Sequence, residues 1–169
     1  MITLITGASK GIGNAISHAL ADKGYDLILN SRTVSELKSL KQEMQTLHPG
    51  IEITLLPADL SEEKARNQVL EYLIKKFAQI DLLINNAGIY LPGSMIEEPD
   101  DHLTQSIALN LMAPYHLTRG LFPLLKKSSG GQVINICSIA SLSAFPNGGA
   151  YSISKHAVLG FSRNLREEL

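Results

Sequence analysis

The sequence predicts an α/β fold, a doubly wound parallel sheet forming one domain over residues 1–169, and two observations carry that prediction. Short apolar runs alternate with longer stretches of helical period, as expected of repeated strand-helix units whose strands are covered on both faces. Directly behind the first run stands a glycine-rich turn, followed at once by a helical stretch. Strands are read at Met1–Ile5, Asp26–Asn30, Glu52–Pro57, Leu82–Asn85 and Gln132–Cys137. Helices are read at Gly11–Lys23, Val34–Leu47, Ser61–Phe77, Asp100–Lys127 and Tyr151–Leu169. Thr33 and Glu36 have capping-box spacing and predict the start of the second helix; Pro49-Gly50 stops it. No repeat, low-complexity segment or linker divides the chain.

Composition narrows the function. The 169 residues are 44% apolar and carry 15 Lys plus Arg against 16 Asp plus Glu, a net charge of −1. A chain of this length buries roughly 70% of its unfolded surface and needs no metal or disulfide to fold. A near-neutral chain without basic runs is a poor match for nucleic acid, which demands a concentrated positive face. One cysteine permits no internal disulfide, and no apolar run approaches the ~18 residues of a membrane span, so a cytoplasmic location is expected. The five histidines show no metal-ligand spacing. Cys137 is expected to be a buried small residue, and Met44, Met95 and Met112 gap fillers.

The turn after the first strand reads Thr6-Gly7-Ala8-Ser9-Lys10-Gly11-Ile12-Gly13. Glycines there let the strand turn sharply and bring backbone amides against a pyrophosphate, while the helix N-terminus adds unpaired N–H groups and partial positive charge. An ordinary tight strand-helix turn is the plainer reading of a glycine trio alone; its position after a strand and before a helix favours the phosphate site. Cofactor choice is read at the end of the second strand, where NAD calls for a carboxylate toward the ribose 2′-hydroxyl. Asn30-Ser31-Arg32 offers no acid there. Arg32 supplies a donor fork for a 2′-phosphate, Ser31 a hydroxyl and Lys10 a second charge; the alternative is that both cations are solvated surface groups.

Further along, Tyr151 and Lys155 stand four apart, one helical turn on the same face. A tyrosine near its ordinary pKa of ~10 is a poor proton donor or acceptor at neutral pH, and a nearby ammonium lowers that value. Ser138 lies just past an apolar strand and 13 residues ahead of Tyr151. Asn110 sits amid apolar residues of a helix, four residues before Pro114, whose missing N–H is expected to bend the helix and leave the Asn110 carbonyl free.

Together these motifs resemble the short-chain dehydrogenase/reductase family: Thr6, Gly7, Gly11 and Gly13 meet its Thr-Gly-x-x-x-Gly-x-Gly pattern, Asn85-Asn86-Ala87-Gly88 its Asn-Asn-Ala-Gly, and Tyr151 with Lys155 its Tyr-x-x-x-Lys. The resemblance implies a Rossmann-like sheet and an NADP(H)-dependent oxidoreductase, NADP(H) being favoured over NAD(H), that interconverts a carbonyl and an alcohol. It carries Asn110, Ser138, Tyr151 and Lys155 over as catalytic. Ser138 would orient the substrate oxygen, Tyr151 exchange the proton, Lys155 lower the tyrosine pKa and hold the nicotinamide ribose, and the Asn110 carbonyl hold a relay water. It puts Thr6, Gly7, Ser9, Lys10, Gly11, Ile12, Gly13, Ser31 and Arg32 at the cofactor, with Asp59 and Leu60 near the adenine and Asn86, Ala87 and Gly88 lining the cleft. Asp59 would also cap the helix beginning near Ser61.

Members of the family normally continue into two more strands, a substrate loop and a segment against the nicotinamide, so the resemblance implies a C-terminally truncated chain whose fifth strand is an uncovered sheet edge. The alternative reading is therefore a catalytically impaired cofactor-binding or interaction module. The partners implied are a small carbonyl or alcohol substrate and a second copy of the chain, as a homodimer or homotetramer formed through the two long helices, with no nucleic acid or membrane.

Overall fold

The computed structural model describes residues 1–169. In chain order the elements are β1 (Ile2–Ile5), α1 (Gly11–Ala21), β2 (Asp26–Ser31), α2 (Val34–Leu47), β3 (Ile53–Pro57), α3 (Glu63–Lys76), β4 (Leu82–Asn85), α4 (Asp101–Ile107), α5 (Ala113–Leu125), β5 (Gln132–Asn135) and α6 (Gly149–Glu168). All neighbouring strands pair in parallel, in the order β3-β2-β1-β4-β5. The order therefore reverses between β1 and β4, and in such sheets the crevice outside the carboxyl ends at that reversal is the place for a ligand.

Alternation along each strand sends successive side chains to opposite faces, which separates two cores. Leu4, Ile28, Leu56 and Leu83 pack against Val69 and Leu73 of α3 and Leu117 and Leu121 of α5. Ile5, Leu27, Leu29, Leu82 and Ile84 face the other way, onto Ala21 of α1 and Leu37, Leu40 and Met44 of α2. The register puts Leu4 beside Ile28 and Leu83, and Ile5 beside Leu29 and Ile84, so the central strand has apolar neighbours on both sides. β5 has only β4 as neighbour, with Ile134 43% exposed.

The structure shows the break expected near Pro114 and corrects several other expectations. The helix expected over Asp100–Lys127 is interrupted by a π-helical turn at Ala108–Met112, where the Ala113 amide reaches back five residues to the Ala108 carbonyl. Pro114, two residues into α5, has no N–H to offer. The expected capping box at Thr33 does not form, because Thr33 makes no cap bond and Glu36 is drawn away by Ser9 and Lys10. Asp59 does not cap α3. Its Oδ1 accepts from the Ser61 amide at 2.9 Å and the Ser61 hydroxyl at 2.6 Å, a local turn that delays the helix to Glu63. Cys137 is half-buried and lies past the end of β5, and Met95 is 70% exposed rather than a gap filler. Met44 is fully buried.

Asp81, unremarked in the sequence, fastens the amino ends of the central strands. Its carboxylate accepts from the Ile2 amide at 2.6 Å, the Ser128 hydroxyl at 2.6 Å and the Gln79 amide group at 2.8 Å. Its backbone N–H donates to Ile2 O and its carbonyl accepts from Gln132, so β1, β4 and β5 meet at one residue. Burial disfavours the charge, but the hydrogen bonds from Ser128, Ile2 and Gln79 outweigh it and hold the carboxyl below the usual carboxylate range. A depressed folded pKa contributes stability that is complete above the unfolded value, near ~3.9, and is lost as pH falls through the folded value. Asp81→Asn is accordingly expected to lower unfolding free energy by about 1–3 kcal/mol at pH 7. In urea titrations the gap between variant and wild type should close steadily below about pH 4; a gap independent of pH would contradict this role.

Candidate functional site

The site begins where β1 ends. Thr6, 2% exposed, does not line the cleft; its hydroxyl accepts from the Asn86 and Ala87 amides, both at 2.9 Å, and ties β1 to the loop after β4. The Asn86 side chain returns the tie, donating to Thr6 O at 2.9 Å and Gly7 O at 3.0 Å. Gly7 has φ +64°, and a Cβ there would stand 2.9 Å from Ala87 Cα. A Cβ on Gly13 would overlap the Gly7 carbonyl, so helix α1 approaches the loop as closely as only glycine permits. Gly11 also has positive φ but open space around it. The α1 N-cap, Lys10, is extended and makes no side-chain cap bond, which leaves the first amides of an eleven-residue helix uncovered at the loop.

A cleft of about 380 Å³ opens beside this loop. Of the residues expected at a cofactor, Gly7, Ser9, Lys10 and Ile12 line it from the loop and α1, Ser31 and Arg32 from β2 and its end. Asp59 and Leu60 line it from the turn after β3, and Asn86, Ala87 and Gly88 from beyond β4. Thr6, Gly11, Gly13, Tyr151 and Lys155 are not among its lining. Asn30, Thr33 and Ala58, which flank expected residues in the chain, complete it together with Glu36 and Leu109, which only the fold brings to the cleft. A glycine cradle, uncovered amides and two long cations make a wall that fits a dinucleotide phosphate.

The cations are not free. Lys10 Nζ is 2.8 Å from Glu36 Oε1, and Arg32 Nη1 is 3.8 Å from Asp59 Oδ2. The Lys10 ammonium and the Ser9 hydroxyl, which donates to Oε2 at 2.9 Å, hold the Glu36 carboxyl below its ordinary range. At Asp59 burial opposes the charge, yet the bonds from Ser61 and the Arg32 guanidinium prevail and lower its pKa too.

Beyond Gly88 lies a second corner, built on α6. Lys155 is 6% exposed; its Nζ donates to Ile136 O at 2.8 Å and sits 5.9 Å from the centroid of the Tyr151 ring one turn earlier. Burial pushes the Lys155 pKa down, partly offset by Cys137. Asn110, 2% exposed, accepts from Ile89 N at 2.8 Å and donates to Ile89 O at 3.0 Å and Ser154 Oγ at 2.9 Å. Its side chain thus joins the loop after β4 to α6, a role that its sequence position did not disclose. Ser138 Oγ accepts from the Ala140 amide at 3.1 Å, leaving its own O–H free to donate, in a short 3₁₀ turn packed against α6.

Two more residues complete the corner. Tyr90 stacks edge-on against Tyr151, with centroids 4.9 Å apart. The Glu98 carboxylate accepts from the Ala150 amide at 3.0 and 3.2 Å and covers the N-terminus of α6, in space that a side chain on Gly149 would fill. The two halves of the site meet at Gly88, which lines the cleft. A Cβ there would lie 3.2 Å from Asn110 Oδ1 and 3.8 Å from Lys155 Nζ.

Comparison with known proteins accords with this geometry. The family model for short chain dehydrogenase matches residues 1–169. A D-beta-hydroxybutyrate dehydrogenase of Rhizobium meliloti is 32% identical over 98% of this chain and 64% of its own length. A dehydrogenase/reductase SDR family protein 7-like from Drosophila melanogaster is 32% identical over 99% of this chain and 52% of its own. The chain therefore spans about half to two thirds of the length of these curated relatives. Among solved structures, the alcohol dehydrogenase from the archaeon Thermococcus sibiricus complexed with 5-hydroxy-NADP superposes with a TM-score of 0.92 at 28% identity, covering 99% of this chain and 70% of that one. A metagenomic short-chain oxidoreductase in complex with NADP gives 0.91 at 32%, covering 100% and 76%. The strand order, the glycine cradle and the match along all 169 residues establish that this chain belongs to the short-chain dehydrogenase family.

Proposed function

We propose that the chain carries the cofactor cleft and the proton-transfer groups of an NADP(H)-dependent oxidoreductase that interconverts a carbonyl and a primary or secondary alcohol. The observation that carries the reading is the junction at Gly88, which sets the cleft beside the glycine loop directly against Lys155 and Asn110. When bound, the nicotinamide supplies the hydride. Gly7, Ser9, Ile12 and the first amides of α1 would hold its pyrophosphate, with Thr6, Gly11 and Gly13 shaping the turn. Asp59, Leu60, Asn86 and Ala87 would line the adenosine end. Tyr151 gives its phenolic proton to the carbonyl oxygen in reduction and takes it back in oxidation. Ser138, with a free O–H, donates a hydrogen bond to that oxygen and fixes its position. The Lys155 ammonium, buried one turn from Tyr151 and 5.9 Å from the centroid of its ring, would offset the negative charge that develops on the phenolic oxygen as its proton leaves. The π-turn around Asn110 and the absent N–H of Pro114 favour the Asn110 carbonyl as holder of a water that resupplies the lysine.

Preference for NADP(H) is supported by Lys10 and Arg32 in the cleft and by the NADP in the two structural neighbours. The apolar groove formed by Leu111, Tyr115, Phe161 and Leu165 between α5 and α6 supports assembly with a second copy, which light scattering would detect. The second reading, a cofactor-binding module without turnover, is favoured by one observation: β5 is a sheet edge with Ile134 exposed.

Absorbance of NADPH followed with a panel of ketones and aldehydes separates the two readings. The enzyme reading expects consumption that falls by about 10²-fold or more in Tyr151→Phe while cofactor binding persists; binding with no consumption by the wild type would establish the module instead. Arg32→Ala is expected to weaken NADPH binding by about tenfold or more and leave NADH little changed. Equal loss for both cofactors would contradict the preference.

A further inference from the structure

We propose that Glu36 is a specificity-determining residue of the cofactor cleft: its carboxylate competes with a 2′-phosphate for Lys10 and Ser9 and limits how far the site favours NADP(H) over NAD(H). The inference rests on the reading of the cleft as a nicotinamide dinucleotide site. No acid stands at the tip of β2 in the sequence, where discrimination is ordinarily decided. The fold supplies one from elsewhere. Glu36 sits in the first turn of α2, its Oε2 accepting from Ser9 Oγ at 2.9 Å and its Oε1 2.8 Å from Lys10 Nζ. Ser9 Oγ is in turn 2.9 Å from Ser31 Oγ. An acid, two hydroxyls and a cation thus form one connected chain, and all four line the cleft together with Arg32.

The charge balance of this wall follows. Lys10 and Arg32 each face a carboxylate, Glu36 and Asp59 respectively, so the wall presents two cations and two anions. A phosphate dianion entering beside Ser31 must share Lys10 with Glu36 or displace it, and meets like charge in either case. A 2′-hydroxyl carries no charge and meets no such opposition. Because Glu36 is 31% exposed and its pair with Lys10 lies at the surface, its influence is moderate and falls with added salt.

The probes are adenosine 2′,5′-bisphosphate and 5′-AMP, which differ only in the 2′-phosphate, titrated calorimetrically into wild type, Glu36→Gln and Glu36→Ala. The inference expects the affinity ratio of bisphosphate to AMP to rise about threefold to tenfold in both variants, and the gain to shrink between low and high salt. Glutamine keeps a hydrogen-bond acceptor for Ser9, and alanine removes the group altogether, so agreement between them isolates the charge. A ratio indifferent to residue 36, with both nucleotides binding, overturns the inference alone. Failure of both nucleotides to bind any of the three proteins overturns the reading of the cleft and the inference with it.

Discussion

Asn110 commits both ends of its carboxamide inside the protein, accepting from the Ile89 amide and donating to the Ile89 carbonyl and to Ser154 on α6. The first two bonds imitate a strand partner for the chain just beyond β4, at the point where the backbone has left the sheet. The third reaches the helix that carries Tyr151 and Lys155. Without them, the half-buried Ile89 would lose the partners of both its N–H and its C=O, at about 0.5–1.5 kcal/mol for each bond. The cleft and the corner on α6 are therefore joined by one buried side chain, with the Glu98 bonds to Ala150 and the Tyr90–Tyr151 contact beside it. Its helix changes pitch at this place: the π-turn inserts a residue, and Pro114 cannot restore the missing bond. An asparagine in an apolar helix, unfavourable by propensity, is retained because three tertiary bonds outweigh the local cost.

The electrostatics of the two corners are opposite in kind. In the cleft the charged groups are surface groups already paired, so the wall is near neutral and tunable by small changes. At α6 a single ammonium is buried with one carbonyl, Ile136 O, and no carboxylate within ion-pair distance. An ammonium in that state is costly, and burial accordingly lowers the Lys155 pKa. Glu98 adds its negative charge at the N-terminus of the same helix, on the Ala150 amide, where it complements the helix dipole rather than pairing with the lysine.

What was legible in the sequence was local. The glycine turn, the one-turn spacing of Tyr151 and Lys155, and the break announced by Pro114 each depend on residues within a few positions of one another, and the structure shows the turn, the shared corner and the break. The unforeseen parts are long-range. Asp81 meets Ile2 from 79 residues away, Glu98 meets Ala150 across 52, and Glu36 meets Ser9 across 27. The Thr33–Glu36 box shows the contest directly. The spacing was right for a cap, but once β1 and β2 pair, Ser9 and Lys10 come within reach of Glu36 and outbid the backbone amide. Thr6 shows the same long-range control, bracing β1 against the loop after β4 from 80 and 81 residues away.

The sheet edge and the buried lysine are one mechanical problem. The acceptor for Lys155 is the carbonyl of Ile136, the residue just past β5, and the Ile136 amide in turn donates to Asn85 O at 2.9 Å. The position of the ammonium therefore follows the pairing of β5 with β4. That pairing has a ladder on one side only, and short edge strands of this kind are the first to fray. Two side-chain bonds compensate: Asn135 accepts from Asn85 Nδ2 at 2.8 Å and donates to Ser162 Oγ of α6 at 2.9 Å. Asn135 thus clamps the edge strand to its neighbour and to the helix that bears the lysine. Whatever loosens β5 moves Ile136 O away from Lys155, and it does so without touching any residue of the cleft. Order at the sheet edge is in this sense a condition for the placement of the Lys155 ammonium, while the glycine loop, built on β1 and α1 at the centre of the sheet, is independent of it.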